Sequence, residues 1–304
     1  MATRRSFLGQ IALAASAPWL APQALGAVGT ALASRTIPAS GEAIAVIGMG
    51  TSGSFEVGTD ARTRGTLREV LRRFLAGGGR LIDTAPTYGT AEDVLGDLIA
   101  DLGARDQLFL ATKLSAVRGR EAGLAQFEAS LARLRTDRID LLQVHNLGDW
   151  EVQLALAREL KEQGRVRYVG LTHYRDDAHE ALATAVRRAR PDFLQINYSV
   201  TQRAAETHLL PLARELGVAV LANRNFDDGA LFSRVAGKPL PTWAADVGAS
   251  TWAQLFLKFA LSQDAVTAVI PASGKPHRQA ENLRAGLGPM LDATQRKALI
   301  DALG

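Results

Sequence analysis

The chain has 304 residues, 47% of them hydrophobic, enough for one large core or two ordinary ones. Its formal net charge is +4. Setting aside residues 1–26, which hold Arg4 and Arg5 and no acid, leaves 33 basic residues against 31 acidic ones. No Lys/Arg run is interleaved with aromatic residues, so neither charge nor pattern points to a nucleic-acid partner. The absence of cysteine excludes disulfides and a thiol nucleophile.

In chain order, Arg4 and Arg5 stand directly before Ser6, Phe7 and Leu8, and an apolar stretch follows. This resembles an export signal of the twin-arginine type, a receptor-read address rather than an anchor. The apolar stretch from Ile11 to about Leu20 is interrupted by Pro18 and falls short of the ~20 residues that a bilayer requires. The small residues of APQALGA place cleavage near Ala27. Residues 1–27 are therefore expected to be a signal peptide, recognised by twin-arginine export machinery and directing the protein to the periplasm. The alternative is an uncleaved N-terminal helix. No membrane association is expected of the mature form. Residues 28–41, with Gly29, Ser34, Pro38, Ser40 and Gly41, are linker-like, and an N-terminal hairpin could start there.

From residue 42 to residue 304 one rhythm repeats. Eight short aliphatic runs alternate with helical patterns: AIAVIGMG, RLIDTA, LFLATK, IDLLQVH, VRYVGLTH, FLQINYS, VAVLAN and TAVIPA. Each is apolar on both faces, as a parallel strand covered on both sides must be. The first helical pattern places Leu67, Val70, Leu71, Phe74 and Leu75 on one face and stops at the AGGG run. Further helices are expected at Ala91–Ile99, Leu124–Leu134, Leu154–Gln163, Ala178–Arg188, Ala204–Leu216 and Trp252–Leu261. Two more should run from about Arg278 to Arg284 and from Asp292 to Leu303. Gly164 and Gly217 sit where helix-terminating glycines belong. Eight strand–helix units in a domain of this length predict a closed (β/α)₈ TIM barrel; a doubly wound sheet with fewer strands is the alternative.

The segment GMGTSG, Gly48 to Gly53, matches the G-x-G-x-x-G dinucleotide fingerprint, but the match is poor. That motif opens a helix at once, whereas here the helical pattern starts only near Ala61. A stronger signal lies at the strand ends, because polar residues at the C-terminal ends of barrel strands mark the active face. The second strand ends in Asp83 and Tyr88 lies on the loop after it. The third ends in Lys113 and the fourth in His145. Singly, each has an ordinary structural explanation; together they make a proton donor. A tyrosine is a weak acid, with pKa ~10. A neighbouring Lys113 cation is expected to lower that value, Asp83 to orient the lysine, and His145 to hold a carbonyl oxygen.

RLIDTAPTYGTAEDVLG, FLATK, SLARLRTDRIDLLQVH and GRVRYVGLTHY resemble the aldo-keto reductases over nearly the whole chain after residue 36. The resemblance implies a (β/α)₈ barrel, an NADPH cofactor across its C-terminal face, a small-molecule carbonyl substrate and a catalytic tetrad of Asp83, Tyr88, Lys113 and His145. It implies cofactor contacts at Gln195, which matches the residue that holds the carboxamide, and at Thr172 and His173, where the family usually has Ser and Asn. After the seventh strand the family commonly reads AYSPLG and this chain reads ANRNFD. Asn223 replaces the tyrosine that stacks on the nicotinamide, and Phe226 is a nearby candidate to replace it. Ser273 and Arg278 align with groups that contact the 2′-phosphate, and Glu281 and Asn282 with groups that contact adenine. Phe55, Trp150 and Tyr174 are candidate pocket walls.

The five histidines lack a spacing such as H-E-x-x-H, and no G-x-S-x-G elbow occurs. Two other readings remain: a non-catalytic NADPH-binding sensor or partner barrel, and a lyase that forms a Schiff base on Lys113.

Overall fold

The computed structural model describes residues 31–303, so the export-signal segment, residues 1–27, lies outside the described residues. A two-stranded antiparallel hairpin comes first, β1 (Ser34–Thr36) and β2 (Ala43–Ala45). Eight parallel strands then form one sheet: β3 (Met49–Gly50), β4 (Leu81–Asp83), β5 (Phe109–Leu114), β6 (Ile139–His145), β7 (Val166–His173), β8 (Phe193–Asn197), β9 (Ala219–Asn223) and β10 (Ala268–Val269). Parallel bridges Ile47↔Val269 and Gly50↔Ala272 join its two edges and close the barrel.

Helices alternate with the barrel strands: α1 (Ala61–Ala76), α2 (Ala91–Leu102), α3 (Arg120–Leu134), α4 (Trp150–Glu162), α5 (His179–Ala189), α6 (Leu209–Leu216), α7 (Ala230–Arg234), α8 (Trp252–Leu261), α9 (Pro276–Arg284) and α10 (Ala293–Leu303). The Asp60 carboxylate caps α1 by accepting from the Thr63 N–H at 2.7 Å. The helix expected over Ala204–Leu216 is divided into a short 3₁₀ turn at Ala204–Glu206 and α6. A helix continuous from residue 204 would place Pro211 in its interior, where proline has no N–H to give; starting at Leu209 puts it in the first turn.

Strand side chains alternate between the two faces of the wall. Ile82, Leu110, Leu142, Leu171 and Leu194 belong to the layer under the helices. Leu81, Phe109, Leu141, Tyr168 and Phe193 point inward and form an apolar floor. Further along the same inward rows, the chain becomes polar at Asp83, Lys113, Gln143 and Gln195, all buried.

The expected first strand is divided. Ala43–Ala45 stays with the hairpin, and the barrel wall takes Met49–Gly50 together with the bridge at Ile47. The hairpin closes the bottom: Ile37 and Ile44 are buried on the floor residues, and Arg35 donates to the Gln263 carbonyl at 2.9 Å. The glycines of GMGTSG do not open a helix. They let β3 approach its neighbours, since a Cβ on Gly50 would stand 2.9 Å from the Ile270 carbonyl oxygen and one on Gly48 the same distance from Leu81.

Candidate active site

The ends of β4, β5 and β6 bring three of the four predicted catalytic groups together, and the loop after β4 brings the fourth. Lys113 Nζ donates to Asp83 Oδ2 at 2.6 Å and to the Thr84 carbonyl at 2.8 Å, and it lies 5.1 Å from the centre of the Tyr88 ring. The Tyr88 and His145 rings meet edge to face with centres 6.0 Å apart. Asp83 Oδ1 accepts from the Gln143 amide at 3.0 Å and from the Gln195 amide at 2.8 Å.

Burial alone would push the Lys113 ammonium down, but the Asp83 charge and the adjoining Tyr88 hydroxyl together outweigh it and hold its pKa above the ordinary value. Lys113 is therefore a cation. Tyr88 behaves differently from expectation. Burial raises its pKa, and this outweighs the lowering by Lys113, so the net shift is upward. The phenol is thus firmly protonated near neutrality. His145 is pulled down to about 3 by burial first and then by the charges of Lys113 and His173. It is neutral, and its Nδ1 pairs with the Ser115 hydroxyl at 2.8 Å.

Ser115 and Gln143 were not singled out by sequence reading. Both carried a period-2 signal: Ser115 follows Lys113 by two residues, and Gln143 precedes His145 by two, so each shares its neighbour's inward row.

The positions proposed for the cofactor lie further around the rim and inward from it. Gln195 Oε1 accepts from the Thr172 hydroxyl at 3.4 Å and from the Asn223 amide at 3.3 Å, so these three residues form one chain leading to Asp83. His173 stacks on Tyr174 (centres 5.7 Å apart, planes 7° apart), and the Arg224 guanidinium covers Tyr174 at 5.3 Å. Phe226 packs on Phe232 at 5.1 Å, in the aromatic cluster that continues to Phe256 on α8. Ser273 accepts from the Lys275 N–H at 3.3 Å just before α9. Arg278 is exposed, Glu281 half-buried and Asn282 buried on α9. Of the candidate pocket walls, Tyr174 is 41% exposed, while Phe55 is fully buried in the core and forms no open wall. Trp150 opens α4 beneath the Arg188 guanidinium.

This rim contains buried polar atoms that no group among the described residues satisfies: Asn223 Oδ1, Arg224 Nε, Asn225 Oδ1 and both amide atoms of Gln279. Such atoms are costly unless something pairs with them. The free carbonyl oxygens of Asn223 and Asn225 are acceptors and the Arg224 Nε–H is a donor; with Lys275 and Arg278 around the start of α9 they form a mixed donor and acceptor set that fits a carboxamide-bearing, phosphorylated nucleotide.

A parallel eight-stranded barrel with polar chemistry at the C-terminal ends of its strands defines a TIM-barrel enzyme scaffold. The family model described as the aldo/keto reductase family matches residues 46–302. The chain belongs to that family of oxidoreductases. Aldo-keto reductase YhdN of Bacillus subtilis (strain 168) is 32% identical over 206 residues, 62% of this chain and 60% of that protein. An aldo-keto reductase of Mycobacterium sp. (strain KMS) is 32% identical over 221 residues, covering 68% of this chain and 74% of its own. Among solved structures, an aldo/keto reductase from Klebsiella pneumoniae in complex with NADP and acetate superposes with a TM-score of 0.75 at 25% identity. It covers 86% of this chain and 93% of that one.

Proposed function

We propose that this protein is an NADPH-dependent reductase of aldehydes or ketones in which Tyr88 is the general acid. The observation that carries the reading is the buried Lys113–Asp83 pair directly beside a protonated Tyr88 and a neutral His145. The rim residues suit the cofactor. Gln195, Thr172, His173 and Asn223 would hold the nicotinamide end, with Phe226 close by, and Ser273, Arg278, Glu281 and Asn282 the adenosine-phosphate end. When bound, the cofactor supplies the hydride that the carbonyl carbon receives.

The protein's own groups manage the proton. With the Ser115 hydroxyl donating to Nδ1, the His145 Nε2 carries the hydrogen and can donate it to the carbonyl oxygen. Tyr88 then delivers its proton to that oxygen. The Lys113 ammonium stabilises the resulting phenolate, and Asp83 keeps the ammonium oriented. A Schiff-base lyase needs a neutral, accessible lysine amine. Lys113 is charged, fully buried and committed to Asp83 and Thr84, which disfavours that reading.

The decisive experiment mixes the purified protein with NADPH and a panel of aldehydes, ketones and quinones and follows absorbance at 340 nm. Loss of NADPH that disappears in Tyr88→Phe supports the reductase. NADPH binding with no turnover in either protein transfers support to the sensor or partner-barrel reading.

We also read residues 1–27 as a twin-arginine-type export address. A route that carries folded cargo would let the protein leave the cytoplasm with its nucleotide already seated. Replacing Arg4 and Arg5 together by lysine should retain the protein inside the cell, and unaltered export of that variant would overturn the reading.

A further inference from the structure

The Asp83 carboxylate receives three hydrogen bonds, and only the one from Lys113 is explained by the proposed chemistry. Its second oxygen, Oδ1, is held by two neutral amides, those of Gln143 and Gln195. Gln143 is fully buried, and its own carbonyl oxygen accepts from Gln195 at 3.4 Å. The barrel makes room for it. In register, Lys113, Gln143 and Gly170 lie side by side across β5, β6 and β7. A Cβ at Gly170 would stand 3.0 Å from Gln143 Cγ and 3.1 Å from the Phe193 carbonyl oxygen, so the Gln143 side chain lies across a gap that only glycine leaves. A buried amide that is satisfied at both ends and accommodated by a neighbouring glycine is a built feature.

We infer that Gln143 is a positioning residue of the reaction: by holding Asp83 Oδ1 it limits how much of the carboxylate charge falls on Oδ2, and so sets how strongly the ammonium acts on the Tyr88 hydroxyl. The physical argument is a competition for one carboxylate charge. Two amide donors on Oδ1 spread and stabilise that charge. Without the Gln143 donor, more of the carboxylate charge falls on Oδ2, which faces the Lys113 ammonium, and less positive field reaches the phenol. Tyr88 is faced by Lys113 from β5, Asp83 from β4, His145 from β6 and Glu56 from the loop between β3 and α1. Of these groups Gln143 hydrogen-bonds only Asp83, so its electrostatic effect on the phenol runs through that carboxylate. Gln195 makes the same contact, but it also holds Thr172 and Asn223 at the rim, so its replacement would disturb the cofactor end as well.

The inference rests on the reductase reading, and its test separates the two. In the full-length protein, tyrosinate absorbance at 295 nm is followed against pH, with Tyr88→Phe in the same background subtracted to isolate Tyr88 from the other three tyrosines. Gln143→Met, apolar and of similar length, should move the Tyr88 ionisation upward by about one pH unit, roughly tenfold less tyrosinate at a given pH on the limb. Gln143→Asn, one methylene too short to reach Asp83, should shift it the same way and serves if the methionine variant fails to fold. The pH limb of alcohol oxidation, which needs the tyrosinate, should move in step, with kcat affected and KM little changed. An unmoved tyrosine titration in a folded variant overturns the inference, even if kcat falls. Absence of turnover in the unmodified protein would count against the reductase reading while leaving the titration to decide this point.

Discussion

The active face has two halves built on opposite principles. Around β4 to β6 the polar groups are paired with one another: both Asp83 oxygens, the Lys113 ammonium and His145 Nδ1 all have partners, and the Thr84 hydroxyl is the exception. Around β9 and α9, Asn223, Arg224, Asn225 and Gln279 each keep a buried polar atom without a partner among the described residues. The paired half is preorganised, so it can act on charge that develops during a reaction without rearranging. The unpaired half keeps polar atoms that none of the described residues satisfies, and these are available to a ligand. Proton-handling groups must hold one geometry, whereas a ligand cradle must keep donors and acceptors free.

The comparison breaks most readily in the paired half. Tyr88→Phe should lower kcat by ~10²–10⁴, the usual value of a positioned general acid, and leave NADPH affinity intact in a fluorescence titration. Lys113→Met should lose turnover similarly and also destabilise the fold by roughly 3–5 kcal/mol in denaturant melts, because it strands the buried Asp83 charge. Loss of turnover with unchanged stability would show that the pair contributes to chemistry and not to the fold.

In the unpaired half, Arg278→Ala should weaken NADPH binding by roughly ten- to a hundredfold, as expected for one charged hydrogen bond, and barely alter NADH. Equal losses for both nucleotides would make Arg278 structural. Saturating NADPH should slow amide hydrogen exchange at residues 223–229 and 273–282 while leaving 109–114 unchanged. Uniform protection of both halves would dissolve the distinction between them.

A last effect concerns acid. The folded protein holds His145 neutral down to about pH 3, whereas the unfolded chain takes up that proton near pH 6.5. Stability is therefore full above pH 6.5 and falls as pH drops toward 3, by at most about 1.4 kcal/mol per pH unit for this group. His145→Gln should flatten urea-midpoint measurements over that window, and an unchanged slope would mean that His145 already titrates normally.

Local pattern determined much of this protein. Aliphatic runs bounded by helical periodicity are short-range signals, and all eight runs contribute strands to the barrel wall. Asp83, Lys113 and His145 were legible because a charged or polar residue ending an apolar strand stands out within a few positions, and Tyr88 because it follows Asp83 closely. What only the tertiary structure decided depends on strand register and on shared burial. Asp83 draws its two amide donors from residues 60 and 112 positions away, a pairing that exists only once β4, β6 and β8 are in register. The division of AIAVIGMG between hairpin and wall follows from the need to cover an apolar barrel floor, which no single segment reveals. The net direction of the Tyr88 shift was decided by the tertiary structure for the same reason. The lysine's effect could be anticipated from its identity, but the larger cost of burying a phenolate depends on how closely the surrounding chain packs over it.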